Sequence, residues 1–195
     1  MEGTILLVLQ AIRVPFIVQL FAFFSAIANH GFIWLVIGLI FLIFVKDRRK
    51  EGLALIASVI LCALIGVVLI GMLVGRDRPF DAIIGLNPVV GVLHEGYSFP
   101  SFHVASCVAA SFIIARCFGG KFGFVSIIFS VIIMFARMYL GVNYPTDVLA
   151  GIVLGLIIGW ICVFVFMRLI NISKPKSAAR HSVKNQRRDY SEYHR

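Results

Sequence analysis

Long apolar runs broken by short polar clusters dominate this chain, and about 20 apolar residues make one helix across a bilayer core of about 30 Å. Runs over 14–29, 32–46, 53–75, 100–117, 122–141 and 146–170 predict six spans, preceded by an apolar N-terminal stretch. Hydrocarbon leaves no water to satisfy backbone N–H and C=O groups, so the expected fold is an all-α six-helix transmembrane bundle over residues 1–170. Only 14% of the 195 residues are charged, against about a quarter in soluble domains, which excludes a water-soluble enzyme. The start lacks a basic region and a small-residue cleavage site, so the first apolar stretch is expected to be retained. Cys62, Cys107, Cys117 and Cys162 lie in apolar surroundings without paired spacing, which indicates neither a disulfide framework nor a zinc site.

The net charge of +9 raises the question of sidedness. Basic residues gather at Lys46, Arg48, Arg49 and Lys50, at Arg116 and Lys121, and in the tail 171–195. With six spans all three groups fall on one side, expected to be cytoplasmic together with both termini, and this leaves 76–99 and 141–146 outside. The tail is polar, is expected to be disordered and to rest on anionic lipid headgroups, and the charge excess is assigned to topology rather than to nucleic acid. Gly151, Gly155 and Gly159, like Gly71 and Gly75, repeat every four residues, which fits close helix packing and also a homodimer through glycine-rich faces.

Three polar clusters carry the chemistry, because ionisable groups near a bilayer are costly and usually functional. Gly75-Arg76-Asp77-Arg78-Pro79-Phe80 closes the third run, Ser98-Phe99-Pro100-Ser101-Phe102-His103 opens the fourth, and Arg137 to Asp147 joins the fifth to the sixth. All three fall at the same end of the expected bundle. Two arginines, a serine and a histidine at a helix N-terminus describe a phosphate pocket, while Asp147 in a first helical turn is a favoured carboxylate.

In Arg78-Pro79, Pro100-Ser101-x-His103, and Arg137 followed ten residues later by Asp147, the chain resembles the type-2 phosphatidic acid phosphatase family of membrane lipid phosphatases, related to vanadium haloperoxidases. Asn29-His30-Gly31-Phe32-Ile33-Trp34 and the segment from Tyr144 to Gly151 resemble small bacterial members acting on undecaprenyl pyrophosphate. The resemblance implies a phosphate site of Arg78, Ser101, Phe102, His103 and Arg137, with Arg76 supplementing its charge, and it implies no metal or other cofactor. By the same resemblance His103 protonates the leaving oxygen and Asp147 orients the nucleophile.

Four signature positions differ. The family lysine falls on Gly71, the glycine of Pro-Ser-Gly-His on Phe102, the serine before the arginine on Ala136, and the nucleophilic histidine on Asn143. A neutral imidazole offers an in-plane lone pair to phosphorus, whereas the carboxamide nitrogen's pair is delocalised, so Asn143 is unfit for phosphoryl transfer. The lost lysine removes a cation that would neutralise the transferring oxygens. The expected function is therefore recognition of a phosphorylated lipid, a polyprenyl phosphate or pyrophosphate or phosphatidate, by an outward pocket without normal turnover. One alternative is an active metal-independent phosphatase using His94 as nucleophile or His103 as base on water. Another is a structural or partner-binding protein with a relic pocket filled by Phe102. His30 is expected to be structural.

Overall fold

The computed structural model describes residues 1–89 and 96–172, with side chains to Phe166 in the last helix. Every regular element among them is helical: α1 Glu2–Ala11, α2 Pro15–Ile27, α3 Phe32–Phe44, α4 Arg49–Leu61, α5 Met72–Val74, α6 Pro79–Ala82, α7 Phe102–Cys117, α8 Gly120–Tyr139 and α9 Pro145–Ile172. The widened π turns of Cys62–Gly71 carry α4 into α5, and Gly75 (φ 60°) ends that run in the left-handed region where glycine costs least. Four stretches are long and apolar enough to cross a membrane, Pro15–Phe44, Lys46–Ala82, Gly120–Tyr139 and Pro145–Phe166, and the shorter apolar helices α1 and α7 bring the set to six.

The membership of that set differs from the sequence expectation. Residues 14–29 and 32–46, expected as two spans, form one bent stretch of 30 residues. Phe21 packs on Tyr139 at the end of α8 and Phe24 on Phe129 midway along it, while Phe41 packs on Phe118 beyond the other end of the bundle. The bend is the turn Asn29–Gly31, where His30 (φ 51°) and Gly31 (φ 68°) are both left-handed. The sixth helix is α1, which lies at one end of the bundle: Glu2 meets Thr146, and Gln10 meets Gly85 and Asn87.

Glu2 touches the first turn of α9, and that 28-residue helix then runs roughly 40 Å, at 1.5 Å per residue, to Ile172 at the opposite end. Glu2 and Ile172 therefore lie at opposite ends of the bundle. The tail from 173 and its contacts with anionic headgroups lie outside the described residues, as does His94.

Packing centres on α7, which is buried from His103 to Ser111. The glycine face of α9 lies against it so closely that a Cβ on Gly155 would stand 2.5 Å from the Ala105 carbonyl oxygen, with Gly151 and Gly159 similarly pressed on Ser101 and Ala109. Small residues let two backbones approach where lipid supplies no hydrophobic drive. That face is used inside the chain, against α7. The α3–α4 and α7–α8 turns meet at the basic end, where Arg48 donates to the Cys117 carbonyl and lies 4.7 Å from the Phe118 ring centre.

Candidate phosphate site

Arg137, in the last turn of α8, is 1% exposed, and its placement organises the opposite end. Its Nε donates to Asn143 Oδ1 at 2.8 Å and its Nη1 to Ser25 Oγ of α2 at 3.0 Å. The chain returns onto it because Gly141 (φ 73°) turns left-handed, after which the N–H groups of Val142 and Asn143 donate to the Arg137 carbonyl. Asn143 is held from both ends of its amide. Its Oδ1 also accepts from Ser101 Oγ at 3.2 Å, and its Nδ2 donates to the Ser98 carbonyl at 2.7 Å. Helix α8, the start of α7 and the turn before it thus converge on one carboxamide, and α2 reaches it through Arg137.

Arg78 caps α6 from an extended conformation, with Pro79 set for the first helical turn. Its guanidinium donates to the carbonyls of Gly96, Tyr97 and Val142 at 3.0–3.2 Å, which ties the loop before α7 to the turn after α8. His103, 7% exposed in the first turn of α7, stands edge-on to Phe102 at 6.3 Å between ring centres. Arg78, Arg137, His103, Asn143, Phe102 and Gly71 line a cavity of about 140 Å³, closed on the α2–α3 side by Asn29 and His30. Phe102 is part of its wall and leaves it open, contrary to the expectation for a filled relic.

Three predicted site residues do not line the cavity, and of these Asp147 is linked to Asn143 by a side-chain hydrogen bond. Arg76 Nη1 lies 2.7 Å from Asp147 Oδ1 and 2.7 Å from Thr146 Oγ1, its Nη2 lies 2.7 Å from Glu2 Oε2, and the guanidinium stacks 3.8 Å above the Tyr144 ring. Asp147, fully buried, accepts the Tyr144 N–H on Oδ2 at 2.8 Å, the returning half of an N-terminal capping box. Neither lines the cavity, so Arg76 does not occupy the place of the missing lysine. Partial burial at Glu2 works to raise its carboxyl, but hydrogen bonds from Thr146 and Arg76 outweigh it and hold the group below its ordinary value of 4.5. Burial raises the Tyr144 phenol. Ser101 lies behind the wall, reaching the cavity only through Asn143.

Asn29, His30 and the Arg137 partner Ser25 are not singled out for the site by the sequence, and Ser98, part of the second cluster, is given no role there. The available signal is Asn29-His30 itself, an adjacent polar pair inside a mostly apolar 30-residue stretch. Among the described residues no group of three or more His, Cys, Asp or Glu is arranged to hold a metal ion. Two guanidinium groups, one imidazole and a carboxamide around a small cavity suit a tetrahedral oxyanion, for which arginine's planar fork is the favoured partner.

Residues 51–170 match the model of the PAP2 superfamily. The chain is 29% identical to the lipid A 4'-phosphatase of Porphyromonas gingivalis over 81% of its own length and 70% of the relative's. It is 33% identical to the decaprenylphosphoryl-5-phosphoribose phosphatase of Mycobacterium tuberculosis over 69% of its length and 72% of the relative's. In fold it is similar to the crystal structure of Aquifex aeolicus LpxE, with a TM-score of 0.70 at 21% identity, covering 81% of this chain and 92% of that one.

Proposed function

Because the chain belongs to the PAP2 superfamily, we propose that its polar cavity recognises the phosphate of a membrane lipid and holds it without passing it to a protein histidine. One observation carries this reading: the nucleophile position is Asn143, whose amide oxygen accepts from Arg137 and Ser101 and whose nitrogen donates to Ser98. A carboxamide so held presents no lone pair to phosphorus, while the cavity keeps Arg78, Arg137 and His103 on its wall. Relatives named for lipid A, decaprenylphosphoryl-5-phosphoribose and undecaprenyl diphosphate support a lipid phosphate as ligand, with a polyprenyl phosphate or diphosphate or phosphatidate as the class. Lys46, Arg48, Arg49, Lys50, Arg116 and Lys121 belong to the turns at the end away from the cavity, so the positive-inside rule directs the cavity outward. Glu2 then lies on the outer side and the end of α9 on the cytoplasmic side.

A second reading, hydrolysis by activated water, is favoured by the presence of both His30 and His103 on the cavity wall. Binding separates recognition from a vestigial pocket. A polyprenyl diphosphate and its dephosphorylated alcohol are titrated against the protein in nanodiscs, with Arg78→Ala beside it. The diphosphate binds more tightly, and Arg78→Ala weakens it about ten- to hundredfold, as expected for hydrogen bonds to a charged group. Equal affinity for diphosphate and alcohol contradicts the reading.

A further inference from the structure

Near the basic end, α3, the end of α7 and the start of α8 leave between them an apolar groove of about 770 Å³. Its wall runs from Trp34 and Phe129 at mid-bundle to Phe41, Phe118, Phe122 and Lys121. The two ends differ in kind. Trp34 is 3% exposed and donates its indole N–H to Cys107 Sγ at 3.3 Å. At the other end Lys121 is exposed on the rim, and Arg48, which shares its charge with Glu51 at 3.0 Å, lies against the Phe118 ring.

We propose that this groove is a second lipid site, distinct from the phosphate cavity, and that it takes one acyl chain of an anionic phospholipid from the leaflet at the basic end. The wall supplies hydrocarbon contact for the chain, while Lys121, assisted by Arg48, stands where an anionic headgroup would sit, at the interfacial depth at which basic side chains meet lipid phosphates. A helix of a partner protein or a second copy of the chain would cover those cations with hydrocarbon, which disfavours either as occupant. The chain end reaches Trp34, one helical turn from the Asn29–His30 wall of the phosphate cavity.

Fluorescence quenching tests this directly, because the protein has two tryptophans and the second, Trp160, is 58% exposed on α9. In a Trp160→Phe protein Trp34 is the only reporter, sealed from bulk lipid except through the groove. The proposal expects chain-brominated phosphatidylglycerol to quench Trp34 more strongly than chain-brominated phosphatidylcholine. Lys121→Gln, at an exposed position, is expected to lower that headgroup preference about fivefold, the effect of one basic residue near a lipid surface. Val125→Phe, which sets a ring into the groove, is expected to weaken the quenching while binding of phosphorylated lipid at the other end is retained. Equal quenching by the two lipids, or none, overturns the proposal: the first means unselective solvation by bulk lipid, the second a groove closed to chains or covered by protein.

Discussion

Arg76 and Arg78 stand two residues apart and end in different surroundings. Arg76 is gripped by the carboxylates of Glu2 and Asp147 and stacked on Tyr144, away from the cavity. Arg78 lies along the cavity wall, oriented by three backbone carbonyls. One arginine acts as a clasp that fastens α1 to the start of α9, and the other faces the space where an anion fits. Proximity in sequence to a binding motif does not assign a cation to the site; the groups that orient its guanidinium do.

Substitutions on the two sides separate affinity from stability. The largest effect falls on Arg137→Ala, which takes the arginine donor from Ser25 and one of two donors from Asn143 Oδ1; a buried group left unsatisfied costs about 1–3 kcal/mol. Both the unfolding midpoint in detergent and lipid-phosphate affinity are expected to drop, and a variant that binds normally would remove Arg137 from the site. Arg78→Lys retains the charge and loses the planar fork, so affinity is expected to fall about tenfold with a smaller change in midpoint. Asp147→Asn acts in the opposite sense. It weakens the clasp, with a stability loss of about 1–3 kcal/mol given the partly exposed Arg76 partner, while lipid-phosphate affinity stays within about threefold. A collapse of affinity in Asp147→Asn would erase the distinction between clasp and cavity.

The smallest effect belongs to Glu2→Gln, since partly exposed ion pairs contribute about 0.2–1 kcal/mol. Its sign with pH is definite. The folded carboxyl lies below its ordinary 4.5, so its stabilisation is present above that value and is lost as pH falls through the folded one. The difference in unfolding midpoint between wild type and Glu2→Gln is expected to shrink on moving from pH 7 to acid. A constant difference would mean that the carboxylate charge contributes nothing.

Hydropathy made the helical class and most helix positions legible, because a bilayer allows few alternatives. The order and spacing of Arg78, His103, Arg137 and Asn143 were legible too, and these four meet around one cavity. The bend at His30 was not, since two 13-residue apolar helices joined by a turn read equally well as a hairpin or as one broken span. Missing the bend also loses the placement of Glu2 beside Thr146. It also hid His30, whose place on the cavity wall depends on the bend. The glycine repeat of α9 predicted close packing but not its partner, because the same small-residue face serves a neighbouring helix or another molecule equally well.

Everything turns on whether Asn143 leaves the cavity a receptor for phosphate rather than a transferase. The direct measurement is inorganic phosphate release from undecaprenyl diphosphate and phosphatidate by the purified protein in bilayers, with His103→Ala as the control for contaminating phosphatase. The account predicts no release above that control from a protein that still binds the same lipids through Arg78 and Arg137. Release by the wild type that disappears in His103→Ala would contradict it and move the chemistry to an imidazole acting on water.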